Sequence, residues 1–151
     1  MSLEKAWVFR GISMETMAKI SALSVEEAHS QGDFLFRRGD PAHYFYVLKE
    51  GRVRLSVGTT GLLARVYGET GDAFGWSSIA ERDVYVASAE CVSPVKIMKI
   101  EHGRLNHVLN QDPISGMLFL RHLAGMIGNR LVNSYEAALS LQGDRDMKSY
   151  G

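Results

Sequence analysis

The stretch from Gly71 to Glu90 reads GDAFGWSSIAERDVYVASAE, and it is the part of the 151-residue chain that most strongly determines the predicted fold. It opens on a turn signal, passes through a glycine between two aromatic residues, and ends in an apolar run suited to a β-strand. Gly75 lets the backbone come close to an anion, and a short helix begun by Ser77 and Ser78 would direct free N–H groups at it. The stretch predicts a strand-turn-helix-strand phosphate cradle, and a barrel corner without a ligand is the alternative.

Short apolar runs surround this stretch, and turns containing glycine separate them. Regularly spaced short strands with glycine turns are typical of a sandwich or jelly roll and not of a parallel sheet with helical crossovers. The predicted strands are Phe34 to Phe36, Phe45 to Leu48, Val53 to Val57, Leu62 to Tyr67, Val84 to Ala89 and Val95 to Ile100.

Helices are predicted at both ends of the chain. Ser13 is a suitable N-cap for a helix through Ala22, and residues 101–110 predict a second short helix. Asp112 and Pro113 then supply an N-cap followed by proline at the first helical position. No further proline occurs before Gly143, where we expect the helix to stop, so the last predicted helix spans residues 113–142.

One face of this last helix carries small and apolar residues in steps of three and four. Such a seam over several heptads predicts a two-stranded coiled coil between two copies of the chain, and a helix packed only on its own barrel is the alternative. Three interior glycines each cost roughly 1 kcal/mol relative to alanine, so we expect close backbone approach at Gly116, Gly125 and Gly128. The seam comprises Met117, Leu120, Ala124, Ile127, Leu131, Ser134, Ala138 and Leu141.

The order and spacing of these segments resemble the cyclic-nucleotide-binding domain of the catabolite-activator and fumarate-nitrate-regulator superfamily. The likeness rests on residues 32–41, residues 45–55, the stretch from Gly71 to Glu90 and the long helix. It implies a mainly β protein with flanking helices, in which a double-stranded β-helix jelly roll is followed by a C-terminal dimerisation helix. On this basis residues 1–142 form one domain and residues 143–151 a polar tail.

The resemblance also implies two ligand partners that this chain lacks. The family carries a glutamate after the glycine for the ribose hydroxyl and an arginine at the start of the next strand for the cyclic phosphate. Those positions are predicted to hold Trp76 and, by the register of the strand that ends in Ser88 and Ala89, Asp83. An aspartate 4 Å from a phosphate would cost on the order of 4 kcal/mol at an effective dielectric near 20. Arg82 is a substitute only if the loop shifts, because one step along a strand reverses the side chain's direction.

We therefore expect a small anionic ligand or a nucleotide other than tightly bound cyclic AMP or cyclic GMP, and we expect no firmly assigned cofactor. Trp76 either fills the vacated pocket or stacks on the ligand. In the resembled family the long helix closes over the base, and the matching positions lie near Asn133. The predicted contacts are Phe74, Gly75, Trp76, Ser77, Ser78, Arg82, Asp83, Val84, Ser134 and Tyr135.

Composition excludes several classes of protein. A formal net charge of zero argues against direct contact with nucleic acid. The single cysteine, Cys91, excludes an internal disulfide or a four-cysteine metal site and is predicted to be buried or half-buried in a strand. Five histidines are scattered without metal-ligand spacing, so no metal is expected. No apolar run approaches the ~20 residues that span a bilayer and no signal peptide is evident, so we expect no membrane partner and a cytoplasmic protein.

Three functional hypotheses remain at this point. The first is a homodimeric regulatory module that senses a ligand. The second is a ligand-free dimerising interaction domain. The third is a jelly-roll enzyme, which the missing nucleophile elbow and phosphate-loop motifs disfavour, so we expect no enzymatic activity. Transcription factors of the resembled family continue into a helix-turn-helix, so the chain is either a single-domain protein or the sensor part of a regulator without its DNA-binding domain.

Overall fold

The computed structural model describes residues 3–58 and 64–150, with side chains as far as residue 143. Within those residues, eight β-strands are flanked by helices on both sides in sequence. The strands are β1 (Val25–His29), β2 (Phe34–Phe36), β3 (Tyr44–Glu50), β4 (Val53–Ser56), β5 (Arg65–Tyr67), β6 (Ala73–Phe74), β7 (Ser88–Cys91) and β8 (Val95–Glu101).

The strands form two antiparallel sheets, in the orders β1-β8-β3-β6 and β2-β7-β4-β5. Apart from β4 and β5, paired strands are not consecutive in sequence: β3 pairs with β8 so that Phe45 lies opposite Ile100, and β4 pairs with β7 so that Val53 lies opposite Cys91. This arrangement confirms the predicted jelly roll. Cys91 is buried in β7, as the sequence indicates.

Glycine turns connect the strands at the predicted places. Gly51, between β3 and β4, has a φ of 98°, in the left-handed region that favours glycine. A Cβ at this position would also collide with the carbonyl oxygen of Pro94. The hairpin between β3 and β4 therefore requires glycine for two independent reasons.

The three α-helices are α1 (Met14–Leu23), α2 (His102–Gln111) and α3 (Pro113–Tyr150). The predicted N-cap of α1 is confirmed, because the Ser13 hydroxyl accepts a hydrogen bond from the Thr16 N–H at 3.3 Å. The carboxylate of Glu101 caps α2 in the same way, at 2.9 Å from the backbone nitrogens of Gly103 and Arg104. Short 3₁₀ helices occupy Leu3–Lys5 and Trp7–Phe9.

Two strand predictions agree with the structure only in part, and one strand was missed. Of the predicted run from Val84 to Ala89 only Ser88 and Ala89 belong to a strand, because an isolated bridge alone joins Val84 to Pro41 and β7 begins at Ser88. Strand β1 was missed, since two adjacent glutamates interrupt its apolar alternation. The predicted strand Leu62 to Tyr67 is observed as β5, and its first two residues lie outside the described part of the chain.

The prediction that Gly143 ends the last helix was wrong, because the α3 backbone remains helical through Tyr150. One interior glycine costs only about 1 kcal/mol, which a long helix tolerates. Gly116 lies close to α2 as expected, since an added Cβ would stand 3.1 Å from the Leu109 carbonyl oxygen. Gly125 and Gly128 instead have open space around them, so close contact with the chain's own barrel does not account for them.

Two hydrophobic clusters form the core. One lies between the helices and the first sheet, where Phe119 of α3 stacks on Phe9 and meets Phe45 of β3 edge to face. The other lies between the two sheets and includes Leu48 and Ile97. The first cluster fixes the N-terminal half of α3 to the barrel. Across residues 3–58 and 64–150, no helix has both the length and the apolar character that a membrane span requires.

Asp112, at the junction of α2 and α3, joins the two ends of the domain. Its Oδ2 accepts hydrogen bonds from the hydroxyls of Ser13 at 2.8 Å, Thr16 at 2.7 Å and Ser115 at 2.6 Å. Its Oδ1 accepts from the backbone N–H of Ser115 at 3.3 Å. These hydrogen bonds, from Ser115 first and then from Thr16 and Ser13, hold the pKa of Asp112 well below its usual range.

We expect Asp112→Asn to destabilise the protein at neutral pH and to have a smaller effect in acid. The folded-state pKa is depressed, so the contribution of the carboxylate is complete above the unfolded value of about 3.9 and is lost as the pH falls below it. The urea midpoints of wild type and variant would be measured at pH 7, 5 and 3, and the difference between the two midpoints should be smaller at pH 3. A difference that is the same at pH 3 and pH 7 contradicts this account. The exposed Asp83→Asn is the control and should not shift the midpoint.

Candidate functional site

A cavity of about 540 Å³ lies between the second sheet and α3, and we call it the barrel–helix cavity. Strands β4 and β5 form one wall, the segment before β7 and Trp76 form the floor, and α3 forms the other wall. Its described lining consists of Leu55, Ser56, Val57, Ala64, Arg65, Tyr67, Trp76, Val86, Ala87, Ile127, Arg130, Leu131, Asn133, Ser134 and Ala137.

The described lining is mostly apolar and contains no acidic residue. Its two charged side chains are both arginines: Arg65, which is exposed on β5, and Arg130, which is half-buried on α3. Binding sites for small molecules commonly have this composition, an apolar surface with a few placed polar groups. The charge of the lining favours a ligand that carries a negative group.

Arg130 reaches from α3 into the barrel. Its Nη2 donates a hydrogen bond to the carbonyl oxygen of Ala73 in β6 at 2.6 Å. The guanidinium carbon lies 4.5 Å from the centre of the Tyr67 ring and 5.6 Å from that of Phe74, distances at which a cation is attracted to an aromatic face. The side chain therefore ties the middle of α3 to the barrel.

One nitrogen of this guanidinium lacks a partner. Nη1 of Arg130 is buried and makes no hydrogen bond to any described residue. An unsatisfied buried donor costs about 1–3 kcal/mol, and more when it is charged. Burial lowers the pKa of Arg130, while Tyr67 and Asp72 oppose this shift and favour the charged form. Asp72 lies outside the described cavity lining, and burial raises the pKa of its own carboxyl.

The predicted phosphate cradle is largely filled. A second cavity, beside Gly75 and Ser77, measures only about 20 Å³, which is room for a water molecule and not for a phosphate. Tyr85 occupies this end of the site: it is buried and stacks on Phe36 with ring centres 3.9 Å apart. A Cβ added at Gly75 would stand 2.7 Å from the Tyr44 carbonyl oxygen and 3.3 Å from the Tyr85 ring.

The Tyr85 hydroxyl is fixed by the backbone of Tyr44. It donates to the Tyr44 carbonyl oxygen at 2.7 Å and accepts from the Tyr44 N–H at 3.1 Å. Burial raises the pKa of Tyr85 to about 12, so the phenol stays neutral at physiological pH. A ligand group could enter the cradle only by displacing this side chain.

The short helix predicted at Ser77 and Ser78 is a single 3₁₀ turn, Trp76–Ser78. Three residues cannot build a substantial helix dipole, because the dipole sums over aligned peptide units. Both serines are buried, and the Ser78 hydroxyl donates to the Gly75 carbonyl oxygen at 2.7 Å. Gly75 itself has a φ of 80°, so the turn requires glycine whether or not a ligand binds.

The structure brings only some of the predicted ligand contacts together. Trp76 and Ser134 line the barrel–helix cavity from opposite sides, and Gly75 and Ser77 line the smaller one. The remaining predicted contacts line neither cavity. Phe74 and Ser78 are buried in the protein, whereas the others are exposed, namely Arg82, Asp83, Val84 and Tyr135.

Tyr85, and not Asp83, is the side chain that faces Gly75. Residues 85–87 are not part of a β-ladder, so the two-residue alternation used to assign Asp83 does not apply there. Sequence reasoning also missed Arg130. A signal for it was present, because Arg130 follows Ile127 by three residues and precedes Ser134 by four, which places all three on one helix face.

No group of three or more histidine, cysteine, aspartate or glutamate side chains is positioned to hold a metal among the described residues. The rings of His43 and His102 lie with their centres 5.9 Å apart. His102 instead contacts the Ala42 carbonyl oxygen through Nδ1 at 3.1 Å.

Comparison with known proteins places this geometry in a family. The chain is 26% identical over 116 residues to the cAMP-dependent protein kinase regulatory subunit of Hypocrea atroviridis, an alignment that covers 77% of this chain and 24% of that protein. The chain spans less than a third of the length of the curated relatives that it matches.

Solved structures share the fold. The N-terminal domain of a transcriptional regulator from Streptomyces coelicolor is 27% identical, with a TM-score of 0.66 over 91% of this chain and 96% of that one. The sensor domain of the transcriptional regulator DNR from Pseudomonas aeruginosa, at 22% identity, has a TM-score of 0.69 over 85% of this chain and 88% of that one. The cyclic nucleotide-binding domain family model matches residues 26–112, more than half of the chain. The chain therefore belongs to the cyclic nucleotide-binding domain family.

Proposed function

We propose that this chain is a regulatory module that senses a small ligand in the barrel–helix cavity. The observation that carries the proposal is that this cavity, of about 540 Å³, has walls on both the barrel and α3. Its size falls within the range of about 300–1,000 Å³ that is usual for small-molecule sites. The role is one of binding and signalling, not catalysis.

The signal would pass through α3. A ligand that touches Trp76 on one side and Leu131 or Ser134 on the other contacts two elements at once. If α3 has two arrangements relative to the barrel, such a ligand therefore favours the arrangement that it binds more tightly. Ala73 and Arg130 provide the existing contact between the barrel and this part of the helix.

We also propose that the chain forms a homodimer through residues 113–142. Large apolar side chains of the predicted seam are exposed on α3, among them Met117, Leu120, Leu131 and Leu141. A groove of about 550 Å³ between α2 and α3 runs beside Met117, Leu120 and Ala124. Ile127 packs against the core and, with Leu131, lines the barrel–helix cavity, which supports the alternative of packing on the chain's own barrel for that part of the seam.

Cyclic AMP and cyclic GMP are not the proposed ligands. Trp76 stands where the family's glutamate is expected, and Tyr85 fills the place beside Gly75 where a cyclic phosphate would lie. The same filling of the cradle favours the second candidate, a dimerising interaction domain without a ligand. The sensor part of a transcription regulator remains compatible with either function.

A thermal-shift screen of nucleotides and small anionic metabolites tests the sensing function. We expect hits to stabilise the wild type and to lose most of that effect in Ala137→Trp, because the indole would fill the cavity from the exposed face of α3. Equal stabilisation of both proteins would rule out this cavity. No stabilising compound at all would favour the ligand-free interaction domain.

Calorimetry tests the ligand class directly. We expect cyclic AMP and cyclic GMP to bind with dissociation constants no better than about 1 mM, which corresponds to about 4 kcal/mol of binding free energy. Micromolar binding of either nucleotide would contradict the assignment. It would require Tyr85 to move out of the cradle.

Sedimentation velocity at tens of micromolar tests the homodimer. We expect the wild type to be dimeric and Leu120→Asp to be monomeric, because the substitution buries a charge in the seam. Leu120 is 53% exposed in the single chain, so the variant should fold. Met14→Asp, at a residue that is 90% exposed on α1, is the matched control and should remain dimeric. A monomeric wild type would refute the interface.

A further inference from the structure

We propose that the ligand of the barrel–helix cavity is an organic monoanion with an apolar or aromatic body, and that the Arg130 guanidinium takes its anionic group. This inference rests on the proposed sensing function and adds to it the ligand's chemistry and the residue that selects it. The family resemblance directs attention to the cradle at Gly75, whereas the geometry points to the opposite wall of the cavity.

The first argument is the donor that Arg130 leaves unused. Its Nη2 is already bound to the Ala73 carbonyl oxygen at 2.6 Å, while the buried Nη1 has no partner among the described residues. A guanidinium presents its donors in a fixed planar fork that suits an anionic oxygen. Nη1 carries two N–H groups beside an Nη2 that is already bound, which suits one anionic group and not the several charges of a nucleoside polyphosphate.

The second argument is the charge around the cavity. Arg65 and Arg130 line it, and no aspartate or glutamate is found in the described lining. The nearest acidic influence on Arg130, from Asp72, comes from outside that lining. An anion that enters therefore meets two arginines and no carboxylate in the described lining, with Asp72 acting on Arg130 from outside it, in surroundings where water is partly excluded and charges act more strongly.

The third argument concerns the rest of the ligand. Apart from the arginines, the polar groups of the described lining are Ser56, Asn133, Ser134, the Tyr67 hydroxyl and the Trp76 indole N–H. The remaining wall is aliphatic or aromatic, with Trp76 and Tyr67 on the barrel side and Ile127 and Leu131 on α3. Such a surface prefers an apolar or planar body, because burying many ligand hydroxyls here would leave them without partners.

The test compares an acid with its neutral amide by titration calorimetry, using 2-naphthoate against 2-naphthamide and octanoate against octanamide. We expect the wild type to bind each acid about tenfold or more tightly than its amide, the gain of a charge-assisted hydrogen bond. Arg130→Met should remove this preference, so that the variant binds each acid and its amide with affinities within about twofold of each other, whatever affinity both lose with the contact to Ala73. Arg130→Lys should keep part of the preference, because it keeps the charge without the fork.

Two further variants separate the outcomes. Ala137→Trp should weaken acid and amide alike, and if it weakens neither, the cavity and with it the proposed function are wrong. Arg65→Met should lower acid affinity by no more than about threefold, since an exposed cation is screened by solvent. A larger loss in Arg65→Met than in Arg130→Met would overturn the assignment to Arg130.

Amide binding also reports whether Arg130→Met retains a folded cavity, and circular dichroism of the variant checks the fold itself. If the wild type binds acid and amide equally, the anion site is refuted while the sensing cavity stands. If the wild type binds none of the four compounds, the proposed ligand class is refuted.

Discussion

The contact between Arg130 and the Ala73 carbonyl oxygen is the constraint on which the site depends. It holds the middle of α3 against the barrel at the point where the N-terminal packing around Phe119 has ended. Among the described residues, it is the hydrogen bond that joins the helix wall formed by Ile127 and Leu131 to the sheets. The same guanidinium has a second, buried nitrogen without a partner among those residues, so the side chain that fixes the helix is also the one to which we assign the ligand's anionic group.

The opposite end of the site is closed by aromatic packing. Tyr85 stacks on Phe36 and binds both backbone groups of Tyr44, so the space beside Gly75 is occupied by protein. Trp76 sits between this filled end and the open cavity and lines both. The space available to a ligand therefore lies nearer α3 than the turn at Gly75.

The fold was predictable from sequence because its signals are local: the glycine turns, the Ser13 cap and the short apolar runs each act within a few residues. The site was less predictable because it depends on contacts between distant segments. Asp83 was assigned by an alternation that holds only inside a β-ladder. The helical spacing places Arg130 on the same face as Ile127 and Ser134, but its hydrogen bond to Ala73 of β6 joins residues that are far apart in the sequence.

Because α3 is long, a small tilt near the site would produce a larger displacement at the end of the helix. The helix continues from Arg130 to Tyr150, about 30 Å at about 1.5 Å per residue, and residues 138–143 are all exposed. If a helix of that length rotates as a rigid body about the guanidinium of Arg130, its far end moves the most. A tilt of about 5° there would displace the far end by roughly 2.6 Å, about half of one helical turn. A tilt of α3 too small to disturb the packing of the barrel would thus change the contacts that its C-terminal end makes with a partner helix.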